Sequence, residues 1–141
     1  MKSLSSRRLA AVKSVFITRN PLSAQKAMGY FSNPKHGAIV LFCGVVRNRE
    51  NGAALSAITY EAYLKMAEKE IFKIVEIAKK KWDVTIKVFH RIGKILVGEN
   101  SLIVVCSGKH RQETFKASQF VLHQIKSKVP IWKVKFHKKN G

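Results

Sequence analysis

The chain has 141 residues, 46% of them hydrophobic, with 27 Lys and Arg against 8 Asp and Glu for a formal charge of +19. That length suits one domain, and that apolar content excludes a disordered chain. No apolar run approaches the roughly 18 residues of a transmembrane helix, and two cysteines rule out a disulfide scaffold or a four-cysteine zinc site.

Met1–Lys13 reads as a basic tail, followed by a domain over residues 14–136 and a short basic tail over 137–141. Val15–Thr18 is predicted as a strand. Asn20-Pro21 then supplies an N-cap and a first-turn proline for a short helix with Leu22, Ala24, Ala27, Met28 and Phe31 on its apolar face. Gly37–Val46 is a near-continuous apolar run, the pattern of a strand covered on both faces. It leads into the polar loop Arg47–Gly52, and Asn51-Gly52 marks a hairpin-like link to a strand over Leu55–Glu61. Leu64, Ala67, Ile71, Ile74, Val75, Ala78 and Trp82 recur at helical spacing and predict an amphipathic helix.

Val84, Ile86 and Val88 alternate with Thr85 and Lys87, which predicts a strand with one solvated face. Gly93 and Gly98 bracket a brief extended piece, and Ser101–Ser107 is a buried strand. His110–Lys128 is the second long helix, predicted to bury Phe115, Ser118, Val121, Leu122 and Ile125. Pro130 stops it. In the last strand, Ile131–Phe136, Trp132, Val134 and Phe136 share one face, and Lys133 and Lys135 the other. Long helices alternating with paired strands argue for a two-layer α+β domain rather than a doubly wound parallel sheet. Cys43 and Cys106 lie in apolar runs and read as buried free thiols, which fits a reducing, cytoplasmic setting.

Chemistry is expected where cations stand at element ends. Arg47 follows the first buried strand, His110 and Arg111 open the second long helix, Lys126 lies in its last turn, and Lys133 follows Pro130. Backbone N–H groups at a helix start favour anions, and two arginines can clamp an oxyanion. A lysine crowded by other cations has a lowered pKa and can act as base or nucleophile. Ordinary roles compete with these. A lysine at a helix C-terminus is usually a solvated dipole partner, and Lys133 alternates like an exposed strand residue. His36, His90, His123 and His137 carry no partner signal and read as structural. The histidines show no metal-ligand spacing, so no metal or cofactor is expected.

Four segments carry a family resemblance: GAIVLFCGVVRN (37–48), ITYEAYLKMAEKEI (58–71), HRIGKILVGENSLIVVCSGKHR (90–111) and IKSKVPIWK (125–133). In this order they resemble the molybdopterin synthase catalytic (large) subunit, from about Val15 to Lys133. The resemblance implies an α/β hammerhead-like domain with an additional antiparallel β subdomain. It implies a homodimer within a heterotetramer, each large subunit receiving the C-terminal Gly-Gly of a small ubiquitin-like sulfur-carrier subunit. That terminus, as a thiocarboxylate, supplies sulfur to cyclic pyranopterin monophosphate, forming the dithiolene of molybdopterin. By position the resemblance implies Lys126 and Lys133 as catalytic residues, with Arg47, His110 and Arg111 joining them in binding substrate. Where the family often has a lysine before VRN, this chain has Val45.

The alternative is a basic nucleic-acid-binding α+β module without enzymatic activity. Charge favours it, but Phe16, Phe42, Phe72, Trp82, Phe115 and Phe120 fall in periodic apolar positions and read as core rather than as base-stacking platforms.

Overall fold

The computed structural model describes residues 13–139. The expected α+β class, with an additional antiparallel unit, is observed. The first sheet joins β1 (Val15–Thr18), β5 (Val84–Arg91), β7 (Asn100–Gly108) and β2 (Ala38–Val45) in that spatial order. β1 runs parallel to β5, and the other pairings are antiparallel. The second unit places β4 (Ala53–Ala62) between β6 (Gly93–Leu96) and β8 (Ile131–Lys138), with the two-residue β3 (Arg49–Glu50) folded back on the start of β4. The last strand thus runs past Phe136 into the residues expected to form a tail, while nearly all of the N-terminal tail lies outside the described residues.

α1 (Ala24–Met28) covers one face of the first sheet, where Ala27 packs with Ile103 and Val105. α2 (Leu64–Trp82) and α3 (Arg111–Lys128) cover the other. The main core lies between them: Ile71, Val75 and Ala78 of α2 and Ala117, Val121 and Ile125 of α3 meet Ile86, Val88, Val104 and Cys106 of the sheet. A smaller core of Val46, Leu55, Ile58 and Ile95 holds the second unit.

Three local expectations are corrected. Lys87 is not solvated; it is 3% exposed, and its Nζ donates to the Lys13 carbonyl at 2.6 Å. Its ammonium sits 5.4 Å from the Tyr30 ring centroid, beside the stacked Phe16 and Phe89. The strand alternates as expected, but this aromatic cluster, rather than water, covers its second face. Phe115 is 60% exposed, because α3 buries Thr114 in its place, beside the expected Ser118. Their hydroxyls donate back to the carbonyls of His110 and Thr114, at 2.6 and 2.7 Å, so two polar residues pass as core and turn the buried face away from Phe115. Phe72 of α2, also expected in the core, is 49% exposed.

The third correction concerns β8. Lys133 pairs with Tyr60 and Lys135 with Thr59, leaving Val134 as an extra residue. Opposed residues share a face and neighbours on β4 alternate, so this bulge puts Lys133 and Lys135 on opposite faces. A regular strand would have kept them together.

Candidate active site

A cavity of about 440 Å³ opens where the two units meet. β2 contributes Phe42, Gly44 and Val45, β5 contributes His90, and β7 contributes Ser101 and Leu102. The end of α3 adds Ile125 and Lys126, β4 adds Tyr60, and β8 adds Ile131, Trp132 and Lys133. Arg47 enters from the loop after β2. The volume is that of a small-molecule site.

Each cation arrives by a local device. β2 loses register after Gly44, where Ser101 is passed over and its hydroxyl donates to the Gly44 carbonyl at 3.2 Å. That irregularity ends the ladder and releases Arg47 into the loop. The last turn of α3 buries Ile125 at 4% exposure and leaves the adjacent Lys126 exposed at the cavity. Pro130 then reverses the chain, its carbonyl accepting from the Tyr63 N–H at 3.2 Å, and the Val134 bulge turns Lys133 to the Tyr60 side.

Arg47, Lys126 and Lys133 are therefore brought together. His110 and Arg111 are not. They line a separate, more open cavity of about 450 Å³ with Gly37, Lys109 and Gln112, at the opposite end of α3. At 1.5 Å rise per residue, Arg111 stands roughly 22 Å from Lys126 along the helix. His110 is the N-cap of α3, and its backbone N–H donates to the Glu113 carboxylate at 2.7 Å. The start of the helix is also pressed against β7. A Cβ on Gly108 would stand 2.5 Å from Thr114 Oγ1 and 3.1 Å from Val84 Cγ1.

Two further residues bear on the first cavity, Glu50 through its contact with Lys133 and His90 as part of the lining. Glu50 accepts from Lys133 Nζ at 2.8 Å, with side-chain exposures of 21% for Glu50 and 38% for Lys133. It is the first acidic residue of the chain, placed by the hairpin turn at Asn51, φ 53°, and Gly52, φ 79°. His90 lies beyond the stretch that alternates clearly as a strand, yet β5 continues through it and buries it against the cavity, 6.0 Å from the Tyr60 ring. Burial lowers its pKa, and the bond to the Arg91 carbonyl opposes this only in part. The thiols lie elsewhere: burial pushes Cys106 up to about 11 and also raises Cys43.

A family model described as MoaE protein matches residues 17–128. The chain belongs to the MoaE family. It is 39% identical over 125 residues to the molybdopterin synthase catalytic subunit of Homo sapiens, covering 88% of this chain and 66% of that protein. It is 38% identical to the subunit of the same name from Thermoplasma volcanium, covering 84% of this chain and 88% of the relative. The crystal structure of molybdopterin synthase from Staphylococcus aureus superposes with a TM-score of 0.85 at 30% identity, over 92% of this chain and 95% of that one. Membership of the MoaE family bears out the resemblance of the four segments, and the nucleic-acid-binding alternative finds no support. Among the described residues no helix is long and apolar enough to cross a membrane, and no cluster of His, Cys, Asp and Glu could hold a metal ion.

Proposed function

We propose that this chain is the catalytic subunit of a molybdopterin synthase. It would take sulfur from the thiocarboxylated Gly-Gly terminus of a small ubiquitin-like carrier and build the dithiolene on cyclic pyranopterin monophosphate. The observation that carries this reading is the gathering of Arg47, Lys126 and Lys133 around one ligand-sized cavity in a chain of the MoaE family. Arg47 and Lys133 hold the substrate phosphate and offset negative charge as the carrier's acyl carbon is attacked. Lys126 acts nearest the transferred sulfur, as proton donor and acceptor or as nucleophile. Neither cysteine is needed as a sulfur source, in keeping with thiols held protonated by burial. Free thiols also suit the reducing cytoplasm.

The separation along α3 bears on assembly. One copy cannot bring His110 and Arg111 to the substrate held by its own Lys126, since a rigid helix of roughly 22 Å lies between them. A symmetric homodimer that sets the start of α3 from one copy beside the end of α3 from the other would make each site composite, and this is the arrangement proposed. With one carrier per large subunit, the assembly is a heterotetramer.

Reconstitution tests the reading. Purified chain, thiocarboxylated carrier and cyclic pyranopterin monophosphate should yield dithiolene product, and Lys126→Ala should abolish turnover while retaining the wild-type melting temperature. A folded wild-type chain that forms no product would refute the function. An unimpaired Lys126→Ala would refute that residue's role.

A further inference from the structure

The cavity has a deep part and a rim of different chemistry. Arg47, Lys126 and Lys133 are exposed, whereas Leu102, Ile125 and His90 are 5%, 4% and 6% exposed. Its polar groups are mostly donors: the guanidinium of Arg47, the two ammonium groups and the Trp132 indole N–H. The Ser101 hydroxyl proton is directed to the Gly44 carbonyl.

His90 is built differently. Its Nδ1 lies 2.9 Å from the Arg91 carbonyl oxygen, which can only accept, so the Nδ1 position carries the proton. In the neutral ring Nε2 then holds a lone pair. Lowering of the pKa by burial favours that neutral form. The Nδ1 contact is the only hydrogen bond of the His90 side chain among the described residues, which leaves Nε2 unpaired. Yet Nε2 is not sealed in protein, since Arg91 Nε is the sole side-chain nitrogen or oxygen there that is both buried and unpartnered. His90 is 6% exposed and lines the cavity, and the remaining opening of Nε2 is assigned to it.

We infer that His90 is a substrate-contact residue, its Nε2 accepting a hydrogen bond from an N–H of the pterin ring while the phosphate stays with the cations at the rim. The inference rests on the proposed function. A heterocycle rich in N–H groups matches a pocket of Phe42, Tyr60, Leu102 and Trp132 in which the buried His90 Nε2 adds an acceptor to the hydroxyl oxygens of Tyr60 and Ser101. The carrier's terminus does not match it, because an anionic thiocarboxylate would be repelled by a lone pair and belongs with Lys126 and Lys133. His90 therefore distinguishes the two reactants.

The test is steady-state kinetics of the reconstituted enzyme with His90→Phe and His90→Gln. Phe keeps an aromatic ring beside Tyr60 but removes the acceptor, whereas Gln restores an acceptor oxygen. His90→Phe should raise KM for cyclic pyranopterin monophosphate about tenfold or more and leave KM for the carrier unchanged, as expected for an unmet buried donor. His90→Gln should recover part of the loss. Equal changes in both KM values, or no change in either, would overturn the contact. A second measurement needs no variant. In the wild-type chain labelled with nitrogen-15 histidine, the His90 Nε2 resonance should move on adding the pterin substrate and stay in place with inorganic phosphate. A resonance that ignores the pterin would also overturn it. Failure of the wild-type chain to make product would instead strike at the proposed function, so the two failures are distinguishable.

Discussion

Lys126 and Lys133 reach the same cavity in different company. Lys133 is tied to Glu50 at 2.8 Å, and no ion pair of Lys126 is found among the described residues. The carboxylate offsets the mutual repulsion of three cations and fixes the Lys133 ammonium at the rim. Glu50→Gln keeps the size but removes the charge, and turnover should fall about two- to fivefold, the worth of a partly exposed ion pair. Steady-state kinetics would show this, and an unchanged rate would deny the tether any role. His90 gives a second prediction at this scale. Its folded pKa lies below the ordinary value near 6.5, so the unfolded chain binds the proton more readily. Its contribution to stability is complete above pH 6.5 and is lost as pH falls from there through the folded value. His137, also lowered, acts in the same direction. Melting temperature should drop on mild acidification, and His90→Phe should flatten that slope. Arg47, Lys126 and Lys133 were legible in the sequence because they stand at element ends within recognisable segments. Glu50 and His90 were not singled out: a hairpin carboxylate looks the same whether or not a cavity forms beside it, and His90, though it opens the segment 90–111, carries no partner signal.

At the scale of elements, α3 acts as a ruler. Its length sets Lys126 apart from Arg111, and its start is seated by the close approach of Gly108 to Thr114. Gly108→Ala would place a methyl group against Thr114 Oγ1 and Val84, and should destabilise the chain by about 1–3 kcal/mol as an overpacked contact. Chemical denaturation measures this, and a wild-type midpoint would contradict the packing. The element order was readable from periodicity because the apolar stripes of α2 and the runs of β2 and β7 are strong. What periodicity misplaced has physical causes. Thr114 hides its hydroxyl on the His110 carbonyl and so passes as core, as Ser118 was expected to, and this turns Phe115 outward. An aromatic cluster buries Lys87, whose ammonium finds a carbonyl and ring faces in place of water. The Val134 bulge separates Lys133 from Lys135, and a bulge leaves no mark in a simple alternation of apolar and charged residues.

Over the whole molecule the formal charge is +19, and the five ion pairs among the described residues engage Arg19, Lys73, Lys79, Arg91 and Lys133. The remaining positive field favours an acidic partner approaching from solution. Exposed apolar residues line two strands that each pair on one side only: Ile39, Leu41 and Val45 on β2, and Trp132, Val134 and Phe136 on β8. Such edges suit burial in an assembly. For β2 this corrects the expectation of a strand covered on both faces, since Ile39, Leu41 and Val45 lie exposed, and an apolar run or face reads as core whether the cover comes from the same chain or another. The same holds for His110 and Arg111: the resemblance groups them with Lys126, and only the length of α3 shows that a single copy keeps them apart. The composite site is tested most directly by mixing two inactive variants, Lys126→Ala and Arg111→Ala, and measuring dithiolene formation after the subunits exchange. Half of the randomly formed dimers are mixed, and each mixed dimer has one site with both residues intact. Activity should therefore return to about a quarter of the wild-type value. If each site is instead built within one chain, mixing restores nothing.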